Sequence, residues 1–379
     1  MSGLQAELVQ EYGQTVLNMG PHHPSTHGVI RFVLAMDGEV VASARPDIGY
    51  LHRGMEKIAE GITYQAFMPY TDRIDYLGAM FVNHAWAMAV ERLAGVEVPP
   101  RAEYLRVLVD ELNRVASHLI CLGSITMDLG AYTPFLNAVR EREVINDIIE
   151  ELCGARLTYN YMRVGGVSFD LTPGLGTKIL DWARGFEVFL GEFDRLITYN
   201  AIFLNRCANV GVIEPAEAIS YGLVGPNLRA SGVDFDLRRD LPYGAYPAFK
   251  FRVPLGVGKV GAVGDVFDRF WVRIEEIHAS LGLIRQALAD MPEGPVLTKV
   301  PRKLKTDKGA DAHARVESAR GDELAYVVAD GTEKPYRAHF RTGSFNGLSI
   351  FERKTRGMMI ADLVAFFASL DVIAPETDR

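Results

Sequence analysis

The chain has 379 residues, a formal net charge of −8, 23% charged residues and 48% hydrophobic residues. This length allows one large domain or two ordinary ones, and the composition is that of a folded globular protein rather than a disordered chain. A net-acidic chain without a long basic stripe binds nucleic acid poorly, so no nucleic-acid partner is expected. No stretch reaches the roughly 18 uninterrupted apolar residues of a membrane span, so we expect any membrane contact to be made through other proteins of a complex.

Strand patterns lie toward the two ends of the chain. Val29–Met36 and Glu39–Ala44 flank Asp37-Gly38, which is a strong signal for a two-residue hairpin. Thr15–Met19 is a further short strand pattern, and Leu324–Arg341 predicts a pair of strands around a second Asp-Gly turn. These segments predict small antiparallel sheets, because each pair is joined by a short turn.

Helical patterns fill the middle of the chain. Leu77–Leu93 is apolar nearly all round, which predicts a buried helix. Thr133-Pro134 has the residue types of an N-cap and a first helical residue, and it predicts a helix that runs to Leu152. Apolar spacing predicts further helices over roughly Pro100–Leu119, Thr177–Leu204, Asp265–Met291 and Gly357–Leu370.

The elements together predict an α+β fold, a bundle of long helices with small antiparallel β-sheets from the N- and C-terminal regions. Strands do not alternate with helices, as they would in an α/β fold. We expect one integrated domain with three parts. They are a β-rich N-terminal region over 1–70, a helical bundle core over 71–291, and a basic linker, a small β-hairpin and a C-terminal helix over 292–379.

One glycine motif suggests a nucleotide site. Gly256–Gly261 matches the pattern GxGxxG, but a dinucleotide site also needs a βαβ unit with an acidic residue at the end of its second strand. A long helical pattern and then a polar linker follow Gly264 instead. We interpret the motif as a glycine loop. A nicotinamide dehydrogenase acting alone is the weaker alternative, and direct titration with the cofactor would distinguish the two.

Histidines and arginines in two loops are candidates for function. His22, His23 and His27 share one short loop, although the whole chain has nine histidines. The alternative is a plain turn between strands. Arg53 and Arg73 lie among apolar and aromatic residues. They either form ion pairs with adjacent carboxylates or place positive charge beside a redox centre or an anion.

The cysteines do not form a metal-binding pattern. Cys121, Cys153 and Cys207 lie far apart, and the sequence has no CxxC or CxxH pair. A zinc, nickel or iron–sulfur site made by this chain alone is therefore not expected, and no metal ligand is assigned. We interpret all three thiols as small buried apolar groups.

Motifs along nearly the whole chain resemble the signatures of one family. They occur in the order Gly20–Val29, Gly49–Lys57, Asp72–Tyr76, Leu129–Pro134, Met162–Val167, Arg229–Gly232, Gly264–Arg269, Glu317–Gly321 and Ala368–Asp371. The chain resembles the D-subunit family of the proton-pumping NADH–quinone oxidoreductase, respiratory complex I. The resemblance implies a peripheral-arm subunit of this translocase, located peripherally at the cytoplasmic face of the cell inner membrane.

That family in turn resembles the large subunit of nickel–iron hydrogenases, which holds its metals with two CxxC pairs. The corresponding segments here, Arg73–Gly78 and Asp371–Arg379, contain no cysteine, so they offer no thiolate for nickel or iron. The resemblance therefore implies a hydrogenase-like fold whose vacated metal pocket takes another substrate. A hydrogenase-type large subunit remains the alternative that metal analysis would separate.

For this family, the substrate is the quinone headgroup, which is reduced to quinol in a reaction coupled to proton translocation. The reaction needs a hydrogen-bond donor at each carbonyl oxygen. Carried over by motif, His27 and Tyr76 are these catalytic donors, Asp128 is the carboxylate that holds His27, and His23 lies in the quinone loop of region 1–70. A subunit that couples quinone chemistry to pumping without essential donors is a further alternative.

The resemblance places the redox cofactor outside this chain and implies contacts with complex I subunits B, C, I and H. Electrons would come from an iron–sulfur cluster in the first of these, and Arg53 and Arg73 resemble the basic residues beside that cluster. Quinone would enter through the last of them, which is a membrane protein. Many family members carry a histidine where Thr158 stands, so we expect a weaker pH dependence of the cluster potential. The basic linker Pro292–Ala312 is also shorter than usual.

Overall fold

The structure is a computed structural model that describes residues 9–11 and 14–379 of the chain. Long helices form its centre, and α4 packs along both α5 and α11. The helices are α1 Met55–Gly61, α2 Met68–Thr71, α3 Ala79–Ala94, α4 Pro100–Asp128, α5 Tyr132–Cys153, α6 Leu175–Phe193, α7 Ala201–Cys207, α8 Pro215–Ser220, α9 Gly225–Ala230, α10 Leu237–Asp240, α11 Val266–Ala289, α12 Gly343–Ser349, α13 Phe351–Thr355, α14 Ile360–Leu370 and α15 Ala374–Asp378.

Small antiparallel sheets surround this bundle, which confirms the predicted α+β class. The strands are β1 Val9–Glu11, β2 Gln14–Met19, β3 His22–His23, β4 Gly28–Val29, β5 Arg31–Asp37, β6 Val40–Asp47, β7 Met162–Arg163, β8 Gly166–Val167, β9 Asp311–Ser318, β10 Gly321–Ala329 and β11 Pro335–Arg341. The N-terminal sheet has the order β1-β2-β5-β6 and the C-terminal sheet β11-β10-β9, while β3–β4 and β7–β8 form two-stranded ribbons. The predicted hairpin at Asp37-Gly38 joins β5 to β6.

One predicted helix is wrong in its continuity. The segment Thr177–Leu204 contains α6, a π-helical turn over Asp194–Thr198 and then α7. Asn200 starts α7, because its side-chain oxygen accepts the backbone N–H of Ile202 at 2.9 Å. The prediction missed the break because buried apolar residues continue through it.

Two further predictions differ in detail. Helix α5 begins at Tyr132 rather than after Thr133, and no side chain caps its first turn. The C-terminal strand pair is present, but β9 adds a third strand that begins inside the predicted linker Pro292–Ala312. The lysines and arginines of this linker are exposed.

The apolar core consists of two clusters. The larger surrounds α3, α4 and α11, and the smaller lies beneath the N-terminal sheet. In the smaller cluster, Phe32 of β5 contacts Phe351 and Phe367, with ring centroids 4.4 and 4.9 Å apart. Residues of the two ends of the chain therefore share one core. The division into 1–70, 71–291 and 292–379 stays a prediction, and residues 1–8, 12 and 13 of its first part lie outside the described residues.

Buried ion pairs fix the long helix α4 in place. Glu111, in the middle of α4, accepts hydrogen bonds from Arg114, Arg238 and Tyr246. Burial opposes the ionisation of Glu111, but the two guanidinium groups outweigh it and lower the pKa to about 2. Glu111 therefore stays charged at neutral pH and ties α4 to the segment around α10. This matters for function because the last residue of α4 is Asp128.

Candidate functional site

The histidine loop runs from β3 through a single 3-10 turn, Pro24–Thr26, into β4. The Thr26 hydroxyl oxygen lies 2.7 Å from the carbonyl oxygens of both His23 and Gly28, which closes the loop on itself. His27 follows the turn with φ 48° and ψ 31°, in the left-handed region that a non-glycine residue rarely adopts. Such a conformation costs on the order of 1 kcal/mol and is often found at functional sites.

His27 contacts the end of α4. Its Nε2 lies 2.7 Å from Oδ2 of Asp128, and the two side chains are 17% and 5% exposed. The contact is an ion pair when the imidazole is protonated, although the ring N–H does not point along the line of a good hydrogen bond. The structure thus brings together two predicted site residues that are about one hundred positions apart in sequence. His23 lines an open depression beside them with His22, Pro24, Gly28 and Val29.

Tyr76 lies between α2 and α3 and is half-buried. Burial and the adjacent Asp75 carboxylate raise the pKa of its phenol, so it stays protonated at neutral pH. Asp371 and Arg320 also lie close enough to act on it. Helix α14 links this region to the histidine loop, because it packs on both the 3-10 turn and α4 and ends at Asp371.

The two segments that carry CxxC pairs in hydrogenases meet at a buried guanidinium. Arg320 Nη2 lies 2.5 Å from Oδ2 of Asp75, its Nη1 lies 3.1 Å from Oδ2 of Asp371, and its Nε lies 2.9 Å from Oε2 of Glu376. Burial opposes the charge of Arg320, but the surrounding carboxylates raise its pKa well above the usual value. We call these four residues the Arg320 cluster. The sequence interpretation did not single out Arg320, although it lies within the motif Glu317–Gly321.

The two candidate arginines lie side by side at the surface. Arg53 donates to the backbone carbonyl of Arg73, and Arg73 lies 2.6 Å from the Asp72 carboxylate. Burial and then Arg73 lower the pKa of Arg53. Burial raises the pKa of Asp72 to about 6 despite Arg73. The ion-pair interpretation thus holds for Arg73, while Glu56 pairs with Arg337 and His339 rather than with Arg53.

The C-terminal helix α15 holds the loop that carries Arg53. The Asp378 carboxylate accepts the backbone N–H groups of Gly49 and Leu51, at 2.8 and 2.7 Å. Nδ1 of His52 lies 2.8 Å from the carbonyl oxygen of Asp378. Three contacts from one residue therefore fix the loop directly before Arg53.

Carboxylates take the place where a dinucleotide phosphate would bind. Asp268 Oδ2 accepts the backbone N–H of Gly258 at 2.9 Å, and Asp265 caps the first turn of α11. A Cβ at Gly256 would lie 1.9 Å from the carbonyl oxygen of Ala230, so the loop packs against its own chain. A phosphate needs free N–H groups and positive charge at a helix N-terminus. This arrangement argues against the nucleotide interpretation of GxGxxG.

The remaining groups add no second site. Cys121 and Cys207 are buried and Cys153 is half-buried, and burial raises the pKa of all three thiols. Within residues 9–11 and 14–379, no three His, Cys, Asp or Glu side chains are grouped to hold a metal ion. In the same part of the chain, no helix is long and apolar enough to cross a membrane.

Comparison with known proteins agrees with this fold. A sequence model of the family described as respiratory-chain NADH dehydrogenase, 49 kDa subunit, matches residues 128–311 and 300–379. That family has the fold of the hydrogenase large subunit.

Curated relatives match nearly the whole chain. The chain is 58% identical over 366 residues to the D 2 subunit of NADH-quinone oxidoreductase from Anaeromyxobacter dehalogenans, covering 97% of this chain and 96% of the relative. It is 57% identical to the D 2 subunit from Sorangium cellulosum, covering 97% and 95%, and 48% identical to the D subunit from Clostridium beijerinckii, covering 97% of each. The chain therefore belongs to the 49 kDa, or D-subunit, family of NADH–quinone oxidoreductase, and it is one of the subunits of that oxidoreductase complex.

Proposed function

We propose that this chain forms the quinone-binding site of its complex and that His27 and Tyr76 deliver the two protons of quinol formation. The observation that supports this most strongly is the contact of 2.7 Å between His27 and Asp128. An imidazole held by a carboxylate in a strained loop is oriented to donate a proton, and a half-buried phenol keeps its proton until negative charge develops on the substrate. Asp128 positions His27 and neutralises the imidazolium.

The electrons come from an iron–sulfur cluster of a neighbouring subunit in this proposal. Arg53 and Arg73 lie at that interface, where their charge stabilises the reduced cluster and raises its potential. Among the described residues, Arg53 forms no ion pair with a carboxylate, so its charge is available to a partner. The chain itself holds no redox cofactor in this account, and quinone is its substrate.

We also propose contacts with complex I subunits B, C and I, and with the membrane protein of the complex through which quinone enters. The complex then sits peripherally at the cytoplasmic face of the inner membrane. Tyr132 and Leu136, which follow Asp128 at the start of α5, are 65% and 64% exposed. Apolar side chains of this size beside the proposed site suit burial against a partner protein.

Thr158 is expected to weaken the pH dependence of the partner cluster. It is half-buried at φ 49°, in the segment that also contains Asn160, and a threonine cannot titrate. Introducing Thr158→His is expected to steepen the change of the cluster midpoint potential with pH, measured by redox titration of the intact complex. A full one-proton slope in the unmodified complex, assigned to this chain, would contradict the expectation.

The proton-donor role of His27 can be tested by comparing His27→Gln, Asp128→Asn and the double variant in the intact complex. Each single variant is expected to slow quinone reduction while electron transfer to an artificial acceptor before the quinone site persists. Asp128 acts through His27 in this proposal, so Asp128→Asn should cost little once His27→Gln is present. Independent, multiplying losses would contradict this pairing. Unchanged quinone reduction in all three would favour a purely structural coupling role.

A further inference from the structure

The Arg320 cluster faces one more acidic residue, and this residue has no partner. Glu323 is the third residue of β10 and is fully buried. Neither of its carboxyl oxygens makes a hydrogen bond. Buried polar side chains are nearly always paired, and an unpaired buried carboxylate costs far more than a neutral group.

Charged groups face Glu323 from several elements. They are Glu376 of α15, Asp75 before α3, Asp322 of β10 and Arg320 in the turn between β9 and β10. Asp322 is already held by Arg315 and Arg341 on the neighbouring strands. Arg320 is the one cation of this group, and it already contacts Asp75, Asp371 and Glu376. One guanidinium therefore serves three carboxylates before Glu323 is counted.

The contrast with Glu376 shows which acid carries a proton. Glu376 accepts the backbone N–H and the hydroxyl of Ser344, and it contacts Arg320. Glu323 has none of these donors. Burial, and then the nearby Glu376 and Asp75, raise the pKa of Glu323 well above its usual range, whereas burial and Asp75 raise the pKa of Glu376 to about 7. Glu323 is thus a neutral carboxylic acid at neutral pH.

We propose that Glu323 is the group that returns a proton to Tyr76 after each quinol is formed. This rests on the proposed function of Tyr76. Asp75 connects the two, since it is adjacent to Tyr76 in the chain and faces Glu323 in the core. The Tyr76 O–H bond breaks as the quinol O–H bond forms. The phenolate then takes a proton from Glu323 by way of Asp75, and Glu323 becomes a carboxylate beside Arg320 until a proton from solvent restores it.

The test is Glu323→Gln in the intact complex, because glutamine keeps the size and neutrality of the protonated acid. The first quinol should form at the normal rate from the proton already on Tyr76, while steady-state quinone reduction should fall roughly tenfold or more. Glu323→Asp, which keeps a titratable carboxyl, should recover much of this loss. Asp110→Asn, which removes a buried acid paired with His84 elsewhere on α4, is the control and should leave both phases unchanged.

Infrared difference spectra of the unmodified complex add a measurement that needs no variant. Turnover should perturb the carbonyl band of a protonated carboxylic acid, and the band should shift in Glu323→Asp. Normal steady-state rates in Glu323→Gln, or a complex without such a band, would overturn the inference. If Glu323→Gln is normal while Tyr76→Phe is impaired, the proposed function survives and only this inference fails. If both variants are normal, the proposed function fails as well.

Discussion

Arg320→Met is expected to prevent normal assembly of the complex. The substitution keeps a long buried side chain but removes the cation that Asp75, Asp371 and Glu376 share. Removing one partner of a buried ion pair costs about 3–5 kcal/mol, against a total stability of about 5–15 kcal/mol for a folded domain. The amount of this chain incorporated into the complex and its thermal unfolding temperature should both fall.

The pH dependence of this defect has a definite sign. The pKa of Glu376 is about 7 in the folded protein, above its usual value, so its charged form already destabilises the folded state at high pH. Without Arg320 that penalty grows. The stability deficit of Arg320→Met should therefore shrink as the pH falls through the pKa of Glu376 and widen as the pH rises.

Arg315→Met is the matched control for Arg320→Met. Arg315 is one-third exposed and shares Asp322 with Arg341, so its loss should cost less than about 1 kcal/mol. Equal and small effects of the two substitutions would mean that the Arg320 cluster contributes nothing special to the fold.

Tyr76→Phe is expected to lower the rate of quinone reduction roughly 10²–10⁴-fold, the range for loss of one positioned proton donor. The substitution removes only the hydroxyl, so the packing of the half-buried ring should be retained. Electron transfer to an artificial acceptor before the quinone site should continue, and kcat for quinone should fall more than KM rises.

Tyr159→Phe controls for the loss of a tyrosine hydroxyl in the same region. Tyr159 is fully buried and its hydroxyl accepts a hydrogen bond from Asn113 at 3.1 Å. It should cost stability without a specific loss of quinone reduction. If Tyr76→Phe reduces quinone at the normal rate, Tyr76 is a packing residue. If it also abolishes the artificial activity, the change has damaged the complex rather than the proton transfer.

Much of the fold is predictable from the sequence because apolar spacing is a local signal. The buried helix α3 and the hairpin between β5 and β6 lie where the pattern predicts them. The π turn Asp194–Thr198 was missed because its apolar residues continue the helical pattern. Strand β9 alternates polar and apolar residues, and that signal was available but was assigned to the linker.

The site is less predictable because its residues meet through tertiary structure. Nothing local to His27 indicates that α4 ends beside it, and Asp128 was found only through family resemblance. Arg320 and Glu323 lie on a turn and a strand whose burial depends on α14 and α15 closing over them. Buried charge of this kind contradicts local expectations for polar residues, so the structure was needed to find it.

The most direct test of the central claim is labelling of the intact complex with a quinone that carries a photoreactive group on its headgroup. The account predicts that label attaches to this chain within Gly20–Val29 and in the segment that contains Tyr76, and that unlabelled quinone competes with it. Label found only on other proteins of the complex, with this chain unmodified under the same competition, would contradict the claim that the quinone headgroup binds here.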